Sequence, residues 1–108
     1  MKILKFLLIS FFVSITISVN TFADEAKMKK GLEIFNETAG CAACHVLKAA
    51  GSVGNIGPNL DTVSMTIESV TDMVTNGLGV MPAFGEGEIL TKEEIETVSY
   101  FVVNSVNN

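Results

Sequence analysis

Cys41-Ala42-Ala43-Cys44-His45 is the stretch on which the reading of this 108-residue chain turns. Two thiols three residues apart lie on one face of a turn, spaced to add across the two vinyl groups of a haem. A histidine directly after the second cysteine is then held against the iron from one side, and C-x-x-C-H is the spacing of c-type haem attachment. Three other uses of the same residues are weaker. A structural zinc site takes four nitrogen or sulfur ligands, and the chain has two Cys and one His in total. A thioredoxin-like redox pair belongs in a βαβ setting, and no strand pattern competes anywhere. A disulfide between Cys41 and Cys44 would close a tiny loop, stabilise little and leave His45 without a role.

Working outward, an iron with His45 on one side has a second axial position to fill. Soft thioether sulfur suits haem iron, and the chain has five methionines. A methionine by itself is more often core filler, which is the reading for Met28, Met65 and Met73. Met73 falls inside a helical pattern and Met65 near a helix start. Met81 sits instead in a loop with Gly77, Gly79 and Pro82, free to bring its sulfur to a metal. A ligating histidine usually donates its other ring N–H to a carbonyl or carboxylate. Pro58, in Gly57-Pro58-Asn59-Leu60, is the candidate for that carbonyl, although the same four residues read by themselves as a turn. The cofactor-binding set is therefore Cys41, Cys44, His45, Met81 and Pro58, with His45 and Met81 as the iron ligands.

The flanking pattern is helical. Residues 24–36 read as a first helix with Leu32 and Phe35 on one face and Gly31 in its interior. Glycine there costs up to about 1 kcal/mol against Ala, which suggests close approach by another element. Thr38-Ala39-Gly40 breaks that helix just before Cys41. Residues 49–59 hold three glycines and Pro58 and read as loop. Thr66 caps a second helix with apolar positions Ile67, Val70 and Val74, stopped by Asn76-Gly77. A second loop, residues 79–90, precedes the Thr91-Lys92-Glu93-Glu94 capping box. The last helix would bury Ile95, Val98, Phe101 and Val102. The fold class is all-α with long functional loops.

At the N-terminus, Lys2 and Lys5 precede the uncharged run of residues 6–19, and Thr21-Phe22-Ala23 offers a small-residue cleavage site. That is the layout of a secretory signal peptide. Residues 1–23 are expected to be cleaved after Ala23, leaving residues 24–108 as one periplasmic domain without stable membrane insertion. The rival is an uncleaved anchor, since the run from Ile3 to Val19 approaches the ~17 residues at the lower limit for a span. Ser10, Ser14, Thr16 and Ser18 dilute it. Without the leader, five lysines face twelve acidic residues, a formal charge of −7 against −5 for the whole chain. This acidity argues against nucleic acid and anionic membrane surfaces as partners. A domain of about 85 residues with no Trp and one Tyr is close to the size where an apolar core needs a staple.

Taken together, these residues resemble the class I c-type cytochromes, small single-haem electron carriers. The likeness runs from Gly31/Phe35 through the Cys41–His45 motif, Gly57-Pro58-Asn59-Leu60 and Met81-Pro82-Ala83-Phe84 to Ile95/Val98/Phe101. It implies the cytochrome c fold, three to four helices around one covalently attached haem c, with Gly31 and Phe35 against Phe101 where the terminal helices cross. It also implies that Pro58 accepts from His45 and that Met81 is the sixth ligand. One departure stands out: Phe35 lies six residues before Cys41, a longer spacing than in many members, as if Thr38-Ala39-Gly40 held a small insertion.

With both axial positions filled, the iron has no place for a substrate. The implied role is outer-sphere electron transfer between Fe(II) and Fe(III), not enzymatic catalysis. A peroxidase or a gas sensor needs an open or labile iron position. The alternative is a dedicated electron-transfer subunit held by a periplasmic dehydrogenase. Residues 45–51 with 56–61 carry a narrower likeness to the cytochrome subunits of bacterial sulfite dehydrogenases. That ranks such a dehydrogenase first as redox donor, with a terminal oxidase or another cytochrome as acceptor.

Overall fold

The computed structural model describes residues 19–106, so the expected leader lies mostly outside the described residues. Three α-helices carry the fold: α1 (Val19–Glu33), α2 (Ile67–Asn76) and α3 (Lys92–Val106). Both α1 and α2 pack against α3. The expected first helix, residues 24–36, is placed differently at both ends. It starts earlier, at Val19, and the α geometry stops at Glu33. A π-helical turn, Ile34–Thr38, follows and closes with Ala39 N donating to Ile34 O at 2.9 Å. An i→i+5 turn holds one more residue than an α turn. The long spacing between Phe35 and Cys41 is taken up there, and Ile34 and Phe35 remain buried.

Gly31 explains the crossing of α1 with α3. A Cβ on Gly31 would run into Phe101 Cβ and lie 3.0 Å from the Thr97 carbonyl, so only glycine lets the two helices meet. Beside that contact, the Phe35 and Phe101 rings pack edge to face with centroids 5.9 Å apart. Such pairs add about 0.5–1.5 kcal/mol beyond their buried area. Phe101→Ala should therefore destabilise the folded protein by roughly 3–5 kcal/mol, the cost of emptying a fully buried aromatic site. Denaturant unfolding of the two proteins measures this directly.

Helix α2 starts at a reciprocal cap: Ser69 N donates to Thr66 Oγ1 and Thr66 N to Ser69 Oγ, both at 3.1 Å. Val70 and Val74 are buried, whereas Ile67 and Met73 are about two-fifths exposed, 40% and 39%. Met73 is thus not the core filler its helical position suggested. Met28 and Met65 do pack against the core. Helix α3 begins at the expected box, with Glu94 N donating to Thr91 Oγ1 at 3.2 Å and Thr91 N to Glu94 Oε2 at 2.8 Å. Its buried stripe includes Ile95, Val98, Phe101 and Val102, and also Thr97 and Ser99.

The segment between the Cys41–His45 motif and α2 is more ordered than a plain loop. Val46–Leu47 (β1) pairs antiparallel with Ser52–Val53 (β2), Val46 opposite Val53 and Leu47 opposite Ser52. This two-rung ladder is the one sheet among the described residues. It forms because the buried Ser52 hydroxyl accepts from Leu47 N at 2.9 Å and Gly51 turns the chain at φ 66°. Short 3₁₀ turns at Cys41–Ala43, Lys48–Ala50 and Leu60–Thr62 complete the segment.

Candidate haem site

Gly40, at φ 69°, turns the chain out of the π turn and starts the 3₁₀ turn that carries Cys41. Cys44 N and His45 N both donate to Cys41 O, at 3.1 and 3.0 Å, which fixes the motif as a compact turn. Both thiols are free. Burial, helped by the neighbouring Cys44, pushes the Cys41 thiol up to about 11. It is therefore protonated and apolar at neutral pH, with little of the thiolate that disulfide exchange requires. Cys41 and Ala42 pack against the core cluster that includes Phe35 and Phe101.

The His45 imidazole is anchored at one nitrogen. Its Nδ1 lies 2.8 Å from the Pro58 carbonyl oxygen. A carbonyl can only accept, so Nδ1 carries the proton and Nε2 keeps its lone pair. Gly57 makes that approach feasible. A Cβ there would stand 2.5 Å from His45 Cε1 and 2.9 Å from Nδ1, so any other residue would displace the ring. Gly54 plays a similar part on the other side, where a Cβ would press to 2.6 Å on the Ala43 carbonyl group.

Met81 is reached from the end of α2. Gly77 terminates that helix at φ 69°, and a Cβ there would meet Met81 O at 2.6 Å. Leu78 and Met81 then exchange backbone hydrogen bonds, Leu78 N to Met81 O at 3.2 Å and Met81 N to Leu78 O at 3.0 Å. Phe84 N donates back to Val74 O at 2.9 Å. The loop is thereby pinned at both ends, and the partly buried Met81 packs on the same core cluster as Cys41.

These residues suit a covalent haem. Two free thiols flank a turn, one imidazole presents an unshared lone pair, and a thioether is held on a pinned loop. Ile56, Leu78 and Val80 are strongly exposed at 69%, 69% and 88%, more apolar side chain than loops usually leave uncovered. Zinc finds no comparable set, since among the described residues no three His, Cys, Asp or Glu side chains converge as metal ligands. A cavity of about 570 Å³ between α2 and α3, lined by Glu68, Asp72, Glu96 and Tyr100 among others, contains none of the expected ligands.

Residues 26–102 match the family described as cytochrome c oxidase, cbb3-type, subunit III. The cytochrome c6 of Gracilaria tenuistipitata var. liui is 36% identical over 110 residues, 94% of this chain and 96% of that protein. The chain belongs to the class I c-type cytochromes. Cytochrome c6 of Bryopsis maxima is 34% identical over 87 residues, covering 71% of this chain and 90% of that one. Among solved structures, the c-type cytochrome SorU from Sinorhizobium meliloti superposes with a TM-score of 0.69 at 48% identity, over 76% of this chain and 93% of that one. As a cytochrome c, the protein is an electron carrier and binds one covalent haem c, for which Cys41 and Cys44 supply the motif. Gly54, Gly57 and Asp61 belong to the site's framework although the motif alone does not reveal them. The glycine density of residues 51–57 was the available signal.

Proposed function

We propose that this cytochrome is a periplasmic single-electron carrier whose iron is held between His45 and Met81, with residues 1–23 a leader cleaved after Ala23. The hydrogen bond from His45 Nδ1 to Pro58 O carries the reading, because it leaves Nε2 as the only ring nitrogen able to bind a metal. When bound, haem supplies a one-electron Fe(II)/Fe(III) couple. The chain's own residues do the rest. Cys41 and Cys44 tether the ring by thioethers. Pro58 holds the proton on Nδ1 and so strengthens His45 as a donor. The pinned Met81 loop supplies a sulfur ligand, which favours Fe(II) relative to harder ligands and leaves no position for a substrate. The buried wall of Phe35, Val70, Val98 and Phe101 excludes water from one side.

Donor and acceptor are redox proteins. The likeness of residues 45–51 and 56–61 to sulfite dehydrogenase cytochrome subunits makes a sulfite dehydrogenase the donor to try first, and a terminal oxidase or second cytochrome the acceptor. A subunit held permanently by that dehydrogenase is the second reading, and it uses the same site. Either way, seven net negative charges on the cleaved chain bias encounter towards a basic partner face, through fields screened beyond about 8 Å at physiological ionic strength.

Glu86 and Glu88 are exposed on the turn that follows Met81, and Glu86 N donates to Thr75 O at the end of α2. Glu94, by contrast, is occupied as the cap of α3. Stopped-flow reduction by the donor should slow as salt rises. Glu86→Lys with Glu88→Lys should lower the association rate more than Glu93→Lys with Glu96→Lys. Rates indifferent to salt and to both charge reversals would mean that apolar contact drives docking.

A further inference from the structure

Residues 44–48 and 57–61 run side by side, joined three times in one register. Gly57 N donates to Cys44 O at 2.8 Å. His45 Nδ1 donates to Pro58 O at 2.8 Å, and Lys48 N to Asp61 Oδ2 at 2.9 Å. Each bond joins residues thirteen apart, so the three act as rungs between parallel segments. The far rung is the one closed by a side chain of the 57–61 loop. Asp61 is itself set in place: its N–H donates to Asn59 Oδ1 at 2.9 Å, and the Thr62 hydroxyl donates to Asn59 O at 3.0 Å. Pro58 therefore sits between a main-chain anchor at Gly57 and a carboxylate anchor at Asp61, the latter on the short 3₁₀ turn Leu60–Thr62.

We propose that Asp61 is a positioning residue for His45: its carboxylate on the Lys48 N–H keeps the Pro58 carbonyl on Nδ1 and thereby sets the donor strength of the imidazole. This rests on the reading of His45 as an iron ligand. A carboxylate accepting from a backbone N–H is charge-assisted and about twice as strong as a neutral bond. Without it, Lys48 N–H turns to water and the Gly57–Asp61 turn is held at one end only. Pro58 O then spends part of its time off Nδ1. The imidazole becomes a weaker donor, Fe(III) loses more than Fe(II), and the potential rises.

The test compares holoproteins carrying Asp61→Ala, Asp61→Asn and, as a control that weakens the fold elsewhere, Thr91→Ala. Two quantities are read: the reduction potential, and the exchange rate of the His45 Nδ1 proton by NMR. Asp61→Ala should raise the potential and speed exchange by about tenfold, the factor expected when one charge-assisted bond is lost. Asp61→Asn, which keeps a neutral acceptor, should move both readouts part of the way. Should the Ala variant not accumulate, the Asn variant decides by itself. Thr91→Ala should lower the unfolding midpoint and move neither. Potential and exchange unchanged in the Asp61 variants would overturn the proposal, as would equal changes in Thr91→Ala. If the oxidised unmutated protein shows no iron-shifted His45 ring resonances, the ligand reading fails, and this inference falls with it.

Discussion

The variant with Cys41 and Cys44 both replaced by Ala should have the mass of the bare polypeptide and lose all colour on denaturation. The unmutated protein should exceed its polypeptide mass by one haem and stay coloured when unfolded. The difference comes from two thioether bonds that only these residues can form, since the chain has no other cysteine. The expected effect on folding is as large. The chain has no Trp, and the roughly 85 residues that would remain after the proposed cleavage sit near the margin for an apolar core; a buried porphyrin contributes at about 25 cal/mol per Å² of apolar area. Leu78 and Val80, on the loop that carries Met81, are apolar and exposed. The double variant should thus be largely unfolded by circular dichroism. An unmutated protein of bare polypeptide mass would refute the attachment, and a well-folded double variant would refute this account of the core.

Much of the fold was legible because its signals are local. The Thr66 and Thr91 caps and the Asn76-Gly77 stop depend on residues within one turn, and each is found where the sequence puts it. Gly31 and Phe35 against Phe101 were legible only through resemblance, because contact between the two ends of a chain leaves no local pattern. The π turn was foreshadowed as one surplus spacing before Cys41. Its geometry was hidden, since helix propensity does not distinguish i→i+4 from i→i+5 bonding. Met73 was misplaced for a similar reason. Its helical setting says that it lies on α2 but not on which face, and Val70 and Val74 take the buried one. In the site, Pro58 followed from the chemistry of a ligating histidine. Gly57 and Asp61 did not, because a close approach and a side-chain rung appear only once residues 44–48 and 57–61 lie together.

Met81→Ala should leave the haem covalently attached but open the iron to carbon monoxide. It should also remove the weak long-wavelength charge-transfer bands of Met–Fe(III) ligation. The potential should fall by on the order of 100 mV, a modest part of the ~0.8 V that axial ligands span in haem proteins. The direction follows from replacing a soft thioether, which favours Fe(II), with water, a harder ligand that favours Fe(III). The fold should tolerate the change. The turn from Leu78 to Met81 is held by backbone bonds, and Phe84 N on Val74 O pins it further along. Met81 is also only partly buried, so truncation should cost less than the 2–5 kcal/mol of a fully buried methionine. Two controls separate ligation from packing. Met65→Leu alters a residue packed on the same core, and Met73→Leu alters one exposed on α2. Both should keep the bands, the potential and the resistance to carbon monoxide. Loss of the bands in Met73→Leu with their retention in Met81→Ala would move the sixth ligand to α2, and with it the face on which the ring lies.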